Sequence, residues 1–323
     1  MVVTTPTTGA RRSWGLLGVP SSAAAHWPGI EKAPAAFREA GLRESLHAGG
    51  LTVVDHGDLR VVRWRAHRPD QRPNNAEQVA CVLLETQTAV GEVIDAGNRP
   101  LVLGGECTVT IAVIGAFVSR GIDVGLVYVD GGQDLMIPDD HRDEPILDGM
   151  GVAHLLDLPG VVDEIAGIGP RRPLLDAARL VFLGFSDEEE DIRGLVPSAR
   201  FTASDVSTNP RKAALAAVDT LTRSTENYVV HVDVDVLDFL ETPAADVPCY
   251  GRGLRLTDLE ILLRHLVADP RCAAVVVVEH NPDHGEADGA TTRDLVRALT
   301  SALVPAGGEN GPSGERSHPA PPR

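Results

Sequence analysis

The sequence predicts an α/β fold with a doubly wound, mostly parallel sheet, and three observations lead to this class. Short β-branched runs alternate along the chain with amphipathic stretches. Hydrophobic residues make up 43% of the sequence and aromatic residues only 4%, so the core must be aliphatic, as around parallel strands buried on both faces. A length of 323 residues suits one large domain of this kind.

The individual elements follow from the same patterns. Seven β-branched or apolar runs are predicted strands: Trp14–Val19, Thr52–Asp55, Pro100–Gly104, Val124–Asp130, Leu180–Gly184, Tyr228–Val236 and Ala274–Glu279. Six amphipathic stretches are predicted helices: Ala33–Arg43, Ala76–Ala96, Thr108–Ser119, Arg211–Arg223, Thr257–Val267 and Ala290–Leu303. The polar start and the Gly/Pro/Ser-rich end predict a flexible segment at 1–12 and a disordered tail at 306–323, which leaves one domain at 13–305.

The charge balance limits the class of partner. A net charge of −17 argues against nucleic acid or an anionic membrane surface and favours a small cationic substrate or a metal ion. The four cysteines form no CxxC pair, and neither a signal core nor a membrane-length apolar run is present. We therefore expect a reduced, cytoplasmic protein.

Ligands of open α/β sheets bind beyond the carboxyl ends of the strands, so the residues after each strand are the candidates. The motif GGECT at residues 104–108 follows one strand and opens a helix, whose N-terminus favours a thiolate at Cys107. A tight turn with an inert, half-buried Cys107 is the alternative interpretation.

Acidic residues follow other strands. Asp130 and Asp134 lie four apart across the glycine-rich turn DGGQDL, where either a shared pocket or a solvated turn fits. In VVHVDVDVLD, His231, Asp233 and Asp235 alternate with valines, so a period of two places them on one face. No basic residue lies nearby to pair with them, and buried acids need a partner. This segment is the strongest indication of function.

Glu279 ends the apolar run VVVVEH, where an acid is costly unless it meets a cation or solvent. If these acids converge, either protons stay bound or a divalent cation lies among them. Oxygen ligands suit Mg²⁺ and Mn²⁺, and a thiolate from Cys107 would shift the preference toward Zn²⁺ or another softer metal.

Together these segments resemble the arginase/agmatinase (ureohydrolase) family over nearly the whole chain. GVPSSAAAHWPGIEKAPAAFREAGL near the N-terminus and DHGDL at Asp55–Leu59 add to the resemblance. It implies a three-layer α/β/α sandwich around a parallel sheet of about eight strands. It also implies Mn²⁺-assisted hydrolysis of a guanidine or amidine C–N bond by a metal-bridging hydroxide, and assembly as a trimeric or hexameric homo-oligomer.

The resemblance assigns metal ligands, with departures that make the chain a divergent member. Both usual metal-binding histidines are missing, because Cys107 and Gly132 stand at their positions, and His231 stands where the family motif has Ser. The implied metal ligands are Cys107, Asp130, Asp134, Asp233 and Asp235. The loss of two neutral nitrogen ligands predicts one weakly held Mn²⁺ or none.

The resemblance also assigns substrate and catalytic residues. Glu279 matches the residue that holds the guanidinium, and Asp187 and Glu189 fall where arginases hold the α-amino group. Asp148 replaces the histidine that shuttles protons in arginases. Met136 replaces an Asn that helps to bind the α-carboxylate, so arginine itself is a doubtful substrate.

Two hypotheses follow. In the first, the chain is a metal-dependent hydrolase of a guanidino or amidino compound in specialised metabolism, with Glu279 holding the cationic carbon. Asp148 or one of His141, His231 and His284 would then move protons. In the second, the metal centre is lost, and the fold serves a binding or regulatory role or uses Cys107 as a nucleophile.

Overall fold

Eight strands form one sheet in which every neighbouring pair is parallel, as the sequence predicts. The computed structural model describes residues 13–66, 73, 75–140, 146–189 and 196–305, so the predicted terminal segments and His141 lie outside the described residues. The strands are β1 (Trp14–Gly18), β2 (Val53–Asp58), β3 (Arg99–Leu103), β4 (Gly125–Val129), β5 (Leu180–Leu183), β6 (Ala199–Phe201), β7 (Tyr228–Asp233) and β8 (Cys272–Val278). Their order across the sheet is β2-β1-β3-β8-β7-β4-β5-β6.

Helices cover both faces of the sheet, which confirms the three-layer sandwich. The helices of the described residues are α1 (Ala33–Glu39), α2 (Leu42–Ala48), α3 (Ala76–Asp95), α4 (Val109–Val118), α5 (Gly151–Leu155), α6 (Asp163–Ala166), α7 (Ala203–Thr208), α8 (Pro210–Leu221), α9 (Leu256–Ala268) and α10 (Ala290–Leu303). One aliphatic core joins the sheet to α1, α2 and α7–α10, and a second joins it to α3–α6. No helix among the described residues is long and apolar enough to cross a membrane.

Several local features differ from the sequence prediction, and the short helices α5, α6 and α7 are among the elements that it missed. The edge strand β6 was not predicted, because three half-buried residues carry no recognisable periodicity. The predicted helix Ala33–Arg43 is two helices, since Gly41 takes a left-handed conformation with φ 79° between them. The predicted strand Tyr228–Val236 ends at Asp233 and continues as a 3₁₀ turn, Val234–Val236.

Four adjacent central strands, β3, β8, β7 and β4, place acidic and sulfur side chains at one end of the sheet. Asp233 ends β7, Asp130 and Glu279 directly follow β4 and β8, and Cys107 lies in the turn after β3. Gly105 allows that turn to close, because a Cβ there would overlap the backbone carbonyl oxygen of Ser21. The carboxyl ends of the central strands therefore define the candidate site.

Candidate metal and substrate site

Four buried side chains bring sulfur, oxygen and nitrogen donors into one small hollow. These are Cys107, Asp130, His231 and Asp233, and one donor atom of each lies within 4.8 Å of the others. The Cys107 Sγ is 3.8 Å from Asp130 Oδ2, 3.7 Å from His231 Nε2 and 2.8 Å from Asp233 Oδ2. His231 Nε2 lies 3.4 Å from Asp130 Oδ2. We call this group the four-donor set.

Backbone hydrogen bonds orient both carboxylates of the set. The Gly132 N–H donates to Asp130 Oδ1 at 2.6 Å, and the Asp235 N–H donates to Asp233 Oδ1 at 2.6 Å. The second bond also forms the 3₁₀ turn that ends β7. Each carboxylate is thereby fixed through one oxygen, and its other oxygen points to Cys107.

His231 was not predicted as a metal ligand, because the family motif has Ser at its position. Its ring stacks on Tyr128 with centroids 3.9 Å apart and 5° between the planes, and its Nδ1 lies 2.7 Å from the Thr110 hydroxyl of α4. Burial lowers the pKa of His231 to about 3, so the imidazole is neutral. In the tautomer in which the Nδ1–H donates a hydrogen bond to the Thr110 oxygen, Nε2 is unprotonated and its lone pair faces the hollow. The alternation of β7 is the sequence signal that places His231 and Asp233 on one face.

Asp134 and Asp235 flank the four-donor set without joining it. The Tyr128 hydroxyl donates to Asp134 Oδ2, and Asp134 holds a left-handed backbone conformation with φ 50°. Asp235 lies in the 3₁₀ turn, not on the strand, and its Oδ1 accepts a 2.8 Å bond from the Gly131 N–H. Both acids thus lie at this end of the sheet, and their role as metal ligands stays a prediction.

The position of the family's second histidine is surrounded by carboxylates. A Cβ on Gly132 would lie 3.5 Å from Asp130 Oδ1, 3.5 Å from Glu189 Oε2 and 4.0 Å from Asp134 Oδ1. These are ordinary contact distances, so a side chain would fit there. Since Gly132 supplies no donor, the residues present do not fit a two-ion centre with a nitrogen ligand at this point.

The acids of the hollow raise one another's pKa values. Burial, followed by repulsion from Asp235, Asp134 and Asp233, raises the pKa of Asp130 well above its usual range. Burial and then the charge of Asp235 raise the pKa of Asp233 well above its usual range. Burial and then the charge of Asp148 raise the pKa of Asp134 in the same way. The acids from separate segments therefore meet, as the sequence suggested, and they keep protons unless a cation balances their charge.

The pKa of the Cys107 thiol distinguishes the two interpretations of the GGECT turn. Burial, and then the negative charge of Asp233 and Asp148, raises this pKa well above the usual value. In the chain without a cation the inert Cys107 is therefore favoured over the thiolate, because burial and the nearby acids both oppose ionisation. An ion in the hollow would reverse this balance.

Glu279 presents a buried carboxyl group beside the four-donor set. Neither of its oxygens meets an N–H or O–H donor among the described residues, and its partner is the Asp148 carboxyl, with which it can share a proton. Its backbone is left-handed, with φ 62°, and its N–H donates to the Gly105 carbonyl at 2.7 Å. Burial and then Asp148 raise its pKa well above the usual value. Such a group requires a proton or a cationic partner.

Asp148 lies between Glu279 and Cys107. Its Oδ1 accepts a 2.8 Å hydrogen bond from the Cys107 N–H, and Cys107, Asp148 and Glu279 form a second buried group of donors. Burial and then the charge of Glu106 raise the pKa of Asp148 to about 7. The residue at the predicted proton-shuttle position can thus exchange a proton near neutral pH.

Asp246 is a site residue that the sequence analysis missed. Its Oδ1 accepts hydrogen bonds from Asn281 Nδ2 at 2.7 Å and Trp27 Nε1 at 3.0 Å, whereas its buried Oδ2 has no partner among the described residues. Its charge also raises the pKa of Glu279, after the larger effects of burial, Asp148 and Asp233. Asp246 lies in the loop TPAADVP, which has no periodicity to reveal it.

The two acids predicted to hold an amino group lie in different surroundings. Asp187 is exposed, and its Oδ2 accepts hydrogen bonds from the Ser204 hydroxyl at 2.8 Å and the Ser204 N–H at 3.2 Å. Glu189 accepts a 2.9 Å bond from the Gln133 N–H and borders Gly132. Burial raises the pKa of Glu189 to about 7. The structure therefore brings Glu189, and not Asp187, against the acids of the hollow.

Comparisons with known proteins identify the family of the chain. The model of the arginase family matches residues 12–304. Hepatic arginase of Aquarana catesbeiana is 28% identical over 299 residues, which cover 91% of this chain and 92% of that protein. Arginase-1 of Rattus norvegicus is 26% identical over 294 residues, which cover 89% and 90%.

Solved structures show the same fold. The arginase of Bacillus caldovelox superposes with a TM-score of 0.80 at 22% identity and covers 91% of this chain and 98% of its own. The proclavaminate amidino hydrolase of Streptomyces clavuligerus superposes with a TM-score of 0.66 at 18% identity, covering 91% and 92%. This chain belongs to the arginase family.

Proposed function

We propose that this chain hydrolyses a C–N bond of a cationic guanidino or amidino compound. The observation that carries the proposal is the buried Glu279 carboxyl, which meets no N–H or O–H donor among the described residues and lies beside a hollow of further acids. A guanidinium offers N–H donors in a plane and a delocalised positive charge, which meets the needs of such a carboxylate. The unpaired Oδ2 of Asp246 gives the same cation a second acceptor.

One divalent ion fits the hollow, because the four-donor set supplies sulfur, nitrogen and two oxygens. Mn²⁺ is the ion that the family resemblance implies. When bound, the ion would supply positive charge and lower the pKa of water. Two ions fit poorly, since Gly132 leaves the second position without a nitrogen ligand.

The side chains of this chain would divide the remaining tasks. Glu279 and Asp246 hold the cationic carbon centre through its N–H groups. Water adds to that carbon, the C–N bond breaks, and the leaving nitrogen needs a proton. Asp148, with a pKa of about 7, is placed beside Glu279 to hold or deliver that proton. Glu189 is proposed to contact a further amino group of the substrate, whereas the exposed Asp187 is bonded to Ser204 and its substrate role stays a prediction.

The test combines metal analysis with a turnover assay. The full chain, purified without chelator, is analysed for bound metals and then assayed for urea or ammonia release from a panel of guanidino and amidino compounds, with added Mn²⁺ or Zn²⁺. We expect turnover that disappears in Glu279→Gln and persists in Glu286→Gln, an exposed glutamate in the same C-terminal part of the chain. No turnover with any metal would refute the proposal.

A second candidate is a metal-free arginase-fold protein that binds a cationic ligand. Gly132 and the loss of the shuttle histidine favour it, because both remove parts of the hydrolytic centre. The version with Cys107 as nucleophile has less support, since burial keeps the thiol protonated. Calorimetric binding of a guanidino compound without turnover and without metal would favour this candidate.

We also propose a cytoplasmic homo-oligomer of three or six chains, as the family resemblance implies. Light scattering coupled to gel filtration measures this directly. The expected mass is three or six times 34.2 kDa. A single-chain mass would contradict the proposal.

A further inference from the structure

We infer that His231 completes a mononuclear site for Zn²⁺ or a similarly soft divalent ion, with Cys107, Asp130 and Asp233 as the other ligands. The imidazole enters from β7, at a position where the family motif has Ser, and makes up for the nitrogen ligands that Cys107 and Gly132 replace. This inference deepens the proposed function and rests on it for the ion's role in hydrolysis, although binding itself requires no turnover.

The spacing of the donors carries the inference. In a tetrahedral Zn²⁺ site with a Zn–S distance of about 2.3 Å and Zn–N and Zn–O distances of about 2.0 Å, the donors lie about 3.3–3.6 Å apart. Three separations in the hollow, 3.4, 3.7 and 3.8 Å, are close to these values. The fourth, 2.8 Å between Cys107 Sγ and Asp233 Oδ2, is shorter because the thiol donates a hydrogen bond there. That proton is the one an ion would displace.

Neighbouring groups hold His231, Asp130 and Asp233 in orientations that suit metal binding. The Thr110 hydroxyl lies 2.7 Å from His231 Nδ1, and Tyr128 packs flat on the ring, so the Nε2 atom is held toward the hollow. Backbone N–H groups fix the outer oxygens of Asp130 and Asp233. Partners of this kind orient metal ligands and set their basicity.

The chemistry of the donors selects the ion. A thiolate and an imidazole favour Zn²⁺ over Mn²⁺, which prefers carboxylate and water oxygens. The second donor group, Cys107, Asp148 and Glu279, has three members and no nitrogen, so it is the weaker position for a soft ion. It is better suited to the substrate cation and its proton, which leaves the four-donor set for the metal.

Cobalt substitution tests the ligands without using activity. The full chain is stripped with chelator and titrated with Co²⁺, and the near-ultraviolet thiolate-to-cobalt band and the visible bands of tetrahedral Co²⁺ are recorded. We expect one Co²⁺ ion to bind per chain and to give both the thiolate-to-cobalt band and the visible bands. Zn²⁺ should displace the bound Co²⁺, whereas an equal concentration of Mn²⁺ should not. If the unmodified chain shows no thiolate band, the inference is overturned. This measurement requires no variant.

Variants then assign the donors. Cys107→Ser should abolish the thiolate band, and His231→Asn should weaken Co²⁺ and Zn²⁺ binding at least about tenfold. Cys272→Ala, a buried cysteine at the start of β8, and His47→Asn, an exposed histidine on α2, are controls that should leave both unchanged. An unaltered affinity in folded His231→Asn would exclude His231 as a ligand.

The two proposals fail in different ways. If Zn²⁺ binds through these four residues but no guanidino compound is turned over, the inferred metal site stands and the proposed hydrolase function is refuted. If the chain turns over substrate with Mn²⁺ but shows no thiolate band, the hydrolase function stands and the inferred metal site is refuted.

Discussion

The backbone N–H of Asp246 donates a 2.9 Å hydrogen bond to the backbone carbonyl of Glu279. This bond ties the loop that follows β7 to the end of β8, so two acidic side chains leave the backbone close together. Each acid has at least one buried oxygen that meets no N–H or O–H donor among the described residues. A single cation can balance the negative charges of both acids. In our proposal Asp246 and Glu279 therefore form the structural basis of substrate recognition.

The first prediction concerns Asp246→Asn, which keeps the backbone bond and removes the charge. A hydrogen bond to a charged group contributes about 1.5–3 kcal/mol, so KM for a cationic substrate should rise about 10- to 100-fold with a smaller change in kcat. Steady-state kinetics measure the two constants separately. Asp283→Asn, an acid near the same site that pairs with Lys32, is the control. An unchanged KM would separate Asp246 from the substrate.

The second prediction is that Glu279→Gln stabilises the metal-free chain while it abolishes turnover. The wild-type carboxyl is buried, and burial and the nearby Asp148 charge raise its pKa, so an amide removes the penalty of burying a negative charge there. The free energy of unfolding at pH 8 should increase by about 1–3 kcal/mol in urea titrations. Glu286→Gln, where the side chain lies outside the hollow, should show no such gain. A less stable Glu279→Gln would mean that the charge already has a partner.

The third prediction is a loss of stability of the metal-free chain between pH 6.5 and 8. Burial raises the folded-state pKa of Asp148 and Glu189 to about 7. The unfolded chain has already released these protons, so the stability that they contribute is full at low pH and is lost as pH rises through about 7. Burial lowers the pKa of His154, His231 and His280 to about 4, 3 and 4. Their effect is opposite and appears only below about pH 6.5.

Glu189→Gln isolates one of these protons. The variant should flatten the decline in free energy of unfolding between pH 6.5 and 8 by about 0.5–1 kcal/mol. Its exposed sequence neighbour offers a matched control, Glu188→Gln, which leaves the decline unchanged. Urea titrations at several pH values with chelator present make the comparison. Equal slopes for both variants would show that Glu189 is ionised in the fold throughout this range.

The fourth prediction restores the family's nitrogen ligands. Cys107→His combined with Gly132→His should raise Mn²⁺ affinity at least about tenfold, because two neutral donors replace a thiol and an absent side chain. The Cβ of residue 132 has ordinary contact distances to its neighbours. At Gly131 a Cβ would lie 3.0 Å from the backbone oxygen of Asp235, so Gly131→His should destabilise the fold instead. Mn²⁺ titration followed by electron paramagnetic resonance tests the affinity, and no gain in the double variant would contradict this role for Gly132.

Patterns local in sequence predicted the fold and part of the site. Alternating strand and helix signals gave the parallel sheet, and the period of two along β7 placed His231 and Asp233 on one face. The same period placed Asp235 on the strand, whereas the side chain of Asp233 captures the Asp235 N–H and turns the backbone first. A side-chain hydrogen bond of this kind has no signature in an apolar alternation.

The features that sequence could not predict depend on contacts between distant segments. His231 becomes a candidate ligand because Thr110, 121 positions earlier, lies against its outer nitrogen. Asp246 becomes a candidate substrate ligand because Trp27 and Asn281 donate hydrogen bonds to its Oδ1, whereas its Oδ2 has no hydrogen-bond partner among the described residues. In both cases the tertiary structure decides which atom of a side chain is available.

The position of β8 has a consequence for how the protein is made. Among the described residues β8 is the last strand to be synthesised, yet it lies fourth across the sheet, between β3 and β7. Before residues 272–278 leave the ribosome, the nascent chain can assemble only two partial sheets, each with a bare apolar edge. Cys107 belongs to one partial sheet and Asp130 and Asp233 to the other. Chains that stall before β8 should therefore aggregate, and no truncated product should bind metal.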